Sequence, residues 1–159
     1  MVRIPPAEID GNVYERTMGH RPDVLRQWFA LDEQLRFAGT LDPALKEEVR
    51  RVLAGGIGCT YCASLGRPDA EHRDTRTSLA VAFAEVLWEN SRSLAEVDDA
   101  VFAVLAEEFS DAEIVELSCW VLFLFAAQGF GALMHLPAAT DGELHAYAAW
   151  RRDGIAAAR

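Results

Sequence analysis

Between Leu117 and Thr140 the chain runs LSCWVLFLFAAQGFGALMHLPAAT, twenty-four residues without a formal charge when His is neutral. A bilayer span needs about 20 apolar residues, so this segment is either a membrane helix or a helix with apolar surroundings inside a fold or between subunits. Its flanks favour the second. Glu113 and Glu116 precede it, Asp141 and Glu143 follow it, and no Lys or Arg stands close by to orient a span. Gln128 lies in its middle and Pro137 ends it. The segment reads as a buried core or subunit-interface helix.

At 159 residues the chain has the length of one domain and can bury a core without disulfide staples. Its net charge of −10 excludes a broad cationic footprint for nucleic acid or for anionic membranes. Lys46 is the only lysine, so most positive charge is guanidinium, which pairs and stacks rather than titrates. Three cysteines are too few for a disulfide scaffold, and the first residues, MVRIPPAEID, lack the apolar run of a signal peptide. A cytoplasmic setting is expected.

The pattern is helical throughout, and strand-like alternation is scarce. Residues 1–21 read as an irregular lead-in, with Pro5, Pro6, Gly11 and Gly19. Pro22-Asp23 opens a helix to about Phe37. Asp42-Pro43 is a cap followed by a first-turn proline, with a break expected near Gly55-Gly56 or Gly58. Further helices are expected over about Cys59–Leu65, Thr75–Asn90 and Val97–Phe109. Ser110 with Glu113 makes a capping box ahead of a helix to about His135, and a last helix covers about Asp141–Arg152. The expectation is a single all-α domain over 1–159, of six to seven helices.

The residues that carry chemistry are Cys59-Thr60-Tyr61-Cys62, just after glycines 55, 56 and 58. Two thiols three apart share one side of a helical turn and can close a local disulfide. A thiol at a helix N-terminus meets unpaired N–H groups that favour the nucleophilic thiolate. Other readings are two inert core cysteines, half of a zinc site and a thioredoxin-like motif. Zinc needs two more ligands, but Cys119 lies in the apolar segment and His72 stands alone in a polar loop. The thioredoxin-like motif needs a βαβ setting that the pattern lacks. A dithiol redox site in a helical protein fits best. Cys119 is expected to pack in the core. Tyr61 either hydrogen-bonds a thiolate or packs with a polar tip.

The stretch LDPALKEEVRRVLAGGIGCTYCASLG resembles the carboxymuconolactone decarboxylase-like family, in its alkylhydroperoxidase D-like branch. The segments GHRPDVLRQWFALDEQLRFAGTL and FSDAEIVELSCWVLFLFAAQGFGALMHL extend the resemblance over about Gly19 to Leu136. The branch places a Glu twelve residues before the first Cys, where this chain has Glu47, and a His four residues after the second. The resemblance implies an all-helical obligate homo-oligomer, trimer or hexamer, and no cofactor or metal is expected. It implies that Cys59 and Cys62 reduce a peroxide or a partner's disulfide, fed by a thiol or lipoyl-type donor, while Glu47 moves the proton. Glu47 also has a plain reading, as part of a solvated charged face paired with Arg51 at i,i+4. In its functional role it is a carboxylate near Cys62 whose basicity burial would raise.

Four residues after Cys62 stands Gly66, and glycine relays no proton. Two functions follow: a thiol-dependent oxidoreductase whose relay is completed otherwise, or a non-catalytic or redox-sensing oligomer that has lost it. Helix-terminus geometry favours attack by Cys59, and nearness to a relay carboxylate favours Cys62, so the attacking sulfur stays open here. Lactone decarboxylation is disfavoured, because members with that activity do not rest on a cysteine pair.

Overall fold

The computed structural model describes residues 1–157. These residues form eight α-helices and no strand: α1 (Val13–Met18), α2 (Pro22–Phe37), α3 (Pro43–Ile57), α4 (Thr60–Ser64), α5 (Thr75–Glu89), α6 (Asp99–Leu105), α7 (Asp111–Leu133) and α8 (Asp141–Ala157). The helix α3 packs between α5 and α7, and the short α4 lies against both α3 and α7. The core sits between these helices. Val49 and Leu53 of α3 meet Phe83 and Leu87 of α5 and Leu117, Trp120 and Leu124 of α7. Each such side chain contributes about 1.5–3 kcal/mol by leaving water.

The start signals work as read. Asp42 accepts from the Ala44 N–H at 2.7 Å with Pro43 behind it, and Ser110 and Glu113 close a reciprocal capping box on α7. The helix α3 runs through Gly55 and Gly56 and stops at Gly58, whose φ of +80° reverses the chain. Lys46 is wholly buried in this frame. Its ammonium lies 2.5 Å from Glu116 and donates to the Leu35 and Ala38 carbonyls at the end of α2, so it joins α2, α3 and α7. The Trp120 indole N–H then closes onto the Lys46 carbonyl at 2.9 Å.

Four expectations are corrected. The lead-in 1–21 is not wholly irregular, because Asn12 and Glu15 form a second capping box that starts α1. The helix expected over Val97–Phe109 is shorter, since Asp98 caps onto the Ala100 N–H and sets the start at Asp99. The last helix reaches Ala157, packing Trp150 on Phe37 of α2 at 5.0 Å between ring centroids. Cys119 is exposed rather than packed in the core. In a helix apolar on every side, periodicity does not say which face turns inward, and Leu117 and Trp120 take that place.

Candidate functional site

The reversal at Gly58 delivers Cys59 as the N-cap of α4, where its sulfur accepts the Cys62 N–H at 3.2 Å. The two cysteines form a disulfide with their Cα atoms 5.2 Å apart. The helix α4 is one turn long, so its dipole adds little to thiolate stability. Cys59 is fully buried, whereas Cys62 forms part of the wall of a cavity of about 680 Å³. A reagent entering that cavity meets the Cys62 side of the bridge. Gly131 of α7 closes the other side: a Cβ there would stand 2.5 Å from the Cys59 sulfur and 3.4 Å from that of Cys62.

The aromatic part of the cavity wall is Tyr14, Trp28, Phe29, Tyr61, Phe123 and Trp150. Burial pushes the phenols of Tyr14 and Tyr61 well above their ordinary range, so both stay protonated. The polar part is Arg36, Arg50 and Tyr147 with the amides of Asn12 and Gln128 and the carboxylates of Glu15, Asp32, Glu33 and Glu143. Arg36 lies 4.9 Å from the Trp120 ring centre and 5.1 Å from that of Trp150, and it donates to Asp32 at 3.0 Å. A guanidinium stacked in this way keeps its charge in an apolar setting.

Glu47 lies behind this polar wall, 2% exposed. It takes a bidentate pair from Arg50 (Nε and Nη2, both 2.9 Å), with Arg36 at 3.2 Å, Arg51 at 3.2 Å and the Tyr147 hydroxyl at 2.9 Å. Arg151 stands 3.6 Å away. The i,i+4 pair with Arg51 therefore exists, but on a buried face. Burial alone raises the carboxyl pKa; Arg50, Arg36 and Arg151 outweigh it and bring it down to about 2. This is opposite in direction to the expected rise, because a lone buried carboxylate and one inside an arginine cluster differ in sign. Glu47 is absent from the cavity wall and reaches the cysteines through Arg50, whose Nη1 donates to the Cys62 carbonyl at 2.7 Å.

The position of the missing histidine is equally specific. Gly66 has φ of +155°, and a Cβ there would meet Arg51 Nε at 3.0 Å and Arg50 Nη2 at 3.5 Å. Position 66 thus points at two guanidinium groups, and its backbone disfavours any L side chain. His72 is exposed in its loop and paired with Asp69 at 2.7 Å. The sequence reading missed Arg36, Arg50, Gly131 and Tyr147. Only Arg50, one turn from Glu47, carried a local signal.

No family model matches the sequence, and no curated protein matches it significantly. Two solved structures share the fold. One is an uncharacterised peroxidase-related protein with an alkylhydroperoxidase AhpD core from Ralstonia eutropha JMP134. It is 19% identical, with a TM-score of 0.67 over 81% of this chain and 77% of that one. The other is an uncharacterised peroxidase-related protein from Silicibacter sp. TM1040. It is 16% identical, with a TM-score of 0.66 over 82% of this chain and 78% of that one. The all-helical fold is that of the alkylhydroperoxidase core.

Proposed function

We propose that the chain is an alkylhydroperoxidase D-like thiol oxidoreductase in which Cys62 attacks and Cys59 resolves. The observation that carries this is a Cys-x-x-Cys disulfide with Cys62 at the wall of an aromatic cavity and Cys59 buried behind it. The Cys62 thiolate attacks the terminal oxygen of an organic hydroperoxide. A sulfur–oxygen bond forms, the O–O bond breaks, and the departing alkoxide takes a proton to leave as the alcohol. The Cys59 thiol then attacks the Cys62 sulfenic acid, the disulfide forms and water leaves. A dithiol donor of thiol or lipoyl type returns two electrons and two protons.

The cation nearest Cys62 is Arg50, whose Nη1 donates to the Cys62 carbonyl at 2.7 Å and favours thiolate over thiol there, in a cavity wall that otherwise carries Glu15, Asp32, Glu33 and Glu143 against Arg36 and Arg50. Tyr147, in the same cavity wall as Cys62, supplies the proton to the alkoxide by turning its hydroxyl away from Glu47, and one of the two protons brought by the dithiol donor restores the phenol. Its hydroxyl is held between Arg36 at 3.1 Å and Glu47 at 2.9 Å, and burial keeps it protonated despite both arginines. In this reading Glu47 is a positioning residue that holds Arg50 and Tyr147 in place. Tyr147→Phe is expected to lower kcat for peroxide reduction about 10²-fold, with KM held and the Cys59–Cys62 couple still reversible. An unchanged kcat would remove Tyr147 from the proton path.

The test of the function is a redox titration of the native chain, followed by a peroxide assay with a dithiol donor. A reversible two-electron couple that needs both cysteines, with turnover lost in Cys59→Ser and in Cys62→Ser, is the expected result. Sulfurs that neither reductant nor peroxide reaches would end the reading. Gly66 favours a second reading, a redox-responsive protein without catalysis; its signature is the same reversible couple with no peroxide consumed. Installing His at position 66 does not discriminate the two, because the backbone there disfavours a side chain.

A further inference from the structure

Four carboxylates and two guanidiniums line the cavity that opens on Cys62. The guanidiniums are matched. Arg36 pairs with Asp32 at 3.0 Å and with Glu47 at 3.2 Å, and Arg50 holds Glu47 through two nitrogens at 2.9 Å. Glu15, Glu33 and Glu143 remain, one each from α1, α2 and α8. Among the described residues their hydrogen-bond donors are uncharged. The Asn12 N–H donates to Glu15 at 2.7 Å, the Trp150 indole to Glu33 at 3.2 Å, and the Val13 and Thr140 N–H groups to Glu143 at 2.9 and 2.7 Å. Arg16 acts on Glu143 only from a distance, its Nε donating to the Ala7 carbonyl. Glu33 is exposed and Glu15 and Glu143 are half-buried, so the excess negative charge lies toward solvent. Burial first, then Glu143 and Glu15, raise the Tyr61 phenol, so their field is felt beside Cys62.

Two buried side-chain polar atoms lack a partner among the described residues, and both belong to this wall: Gln128 Oε1 and Arg36 Nε. The Gln128 amide is fixed in orientation, because its Nε2 donates to the Arg50 carbonyl at 2.9 Å and leaves the oxygen unmatched. A free acceptor and a free donor suit a ligand group that both gives and takes a hydrogen bond, as a hydroperoxide does. A carboxylate has no hydrogen for Gln128, and it would enter past three unpaired carboxylates. The rings of Trp28, Phe29, Phe123 and Trp150 supply apolar contact for the body of the molecule.

We propose, on the basis of the redox role given above to Cys62, that the cavity takes uncharged aryl hydroperoxides and rejects reactants that carry a carboxylate, with Glu15, Glu33 and Glu143 setting the selectivity. Salt screens exposed charges over about 10 Å at 0.1 M, so the discrimination is strongest in dilute buffer.

Two aromatic disulfides separate charge from shape: dithiodipyridine, which is uncharged in neutral buffer, and dithiobis(nitrobenzoate), which carries a carboxylate on each ring. The reduced Cys119→Ser chain is used, so that the exposed third thiol does not contribute. The Cys62 thiolate attacks one reagent sulfur and releases an aryl thiolate. The Cys59 thiol then loses its proton to solvent, attacks the mixed disulfide and releases the second aryl thiolate, leaving the Cys59–Cys62 bridge. Each rate is divided by that of mercaptoethanol with the same reagent. The uncharged reagent is expected to react at least about tenfold faster at about 20 mM salt, and less than about threefold faster at about 1 M. Glu15→Gln and Glu33→Gln keep the hydrogen bonds and drop the charge, and each is expected to lower the low-salt ratio about two- to threefold. In the peroxide assay, kcat/KM for cumene hydroperoxide is expected to exceed that for its para-carboxylate by a similar factor. Equal normalised rates at low salt, or a ratio that neither salt nor the substitutions move, would overturn the selectivity and leave the redox reading standing. Failure of both reagents to react would end the redox reading and the selectivity with it.

Discussion

Replacing Glu47 by Gln is expected to cost about 3–5 kcal/mol of folding stability, the loss typical when one partner of a buried ion cluster is removed. The size follows from what stays behind. Arg36 and Arg50 are buried and keep their charge, their guanidinium pKa values lying above the ordinary value despite burial. In the variant they face one another with no carboxylate between them, and Arg50 loses the bidentate contact that holds it to the Cys62 carbonyl. Urea unfolding at fixed protein concentration measures the cost. A change below about 1 kcal/mol, the range of an exposed pair, would show that the cluster is not structural.

The same residue sets an acid limb. The folded pKa of Glu47 is about 2 against an ordinary value of 4.5. Its contribution is complete above the unfolded value and is lost as pH falls through the folded one, so the window lies between about pH 5 and pH 2. The shift corresponds to roughly 3 kcal/mol. In Glu47→Gln that part of the acid dependence is expected to disappear.

Gly131→Ala is expected to destabilise the oxidised protein by about 1–3 kcal/mol, the range for an added methyl in a packed core. Ala is the better helix former by about 1 kcal/mol, so an exposed site would gain. Here the methyl would stand 2.5 Å from the Cys59 sulfur, and that overlap decides the sign. Reduction separates the two sulfurs and lets them turn away, so the reduced form should lose less. The disulfide should then become easier to reduce, by roughly 30 mV for each 1.4 kcal/mol of difference. Thermal unfolding of both redox forms, with equilibration against a dithiol, reads both effects. A variant as stable as the native chain when oxidised would mean that α7 does not press on the bridge.

Features of this molecule legible in its residues are those made within one helical turn. Asp42-Pro43 and Ser110 with Glu113 start their helices as read, and Cys59 and Cys62 meet because they stand three positions apart within one turn. Asn12 with Glu15 obeys the same rule but lies among prolines and glycines that mask it. The uncharged run 117–140 announces a helix with apolar surroundings, yet being apolar all round it does not say that Leu117 and Trp120 turn inward and Cys119 outward.

Tertiary structure decided the rest, because the forces involved depend on distance in space. Glu47 is an ordinary carboxylate beside Arg50 and Arg51 in the chain. Only folding brings Arg36, Tyr147 and Arg151 to it from as far as 104 positions away and reverses the sign of its pKa shift. Gly66 reads as a missing relay, but the fold turns that position onto Arg50 and Arg51 and gives it a positive φ that strains any L side chain. Gly131 carries no signal at all in sequence, and contact with the Cys59 sulfur alone gives it one. Hydrogen bonds within a turn are set by neighbouring residues; Coulomb energy and overlap are set by whichever groups the core brings together.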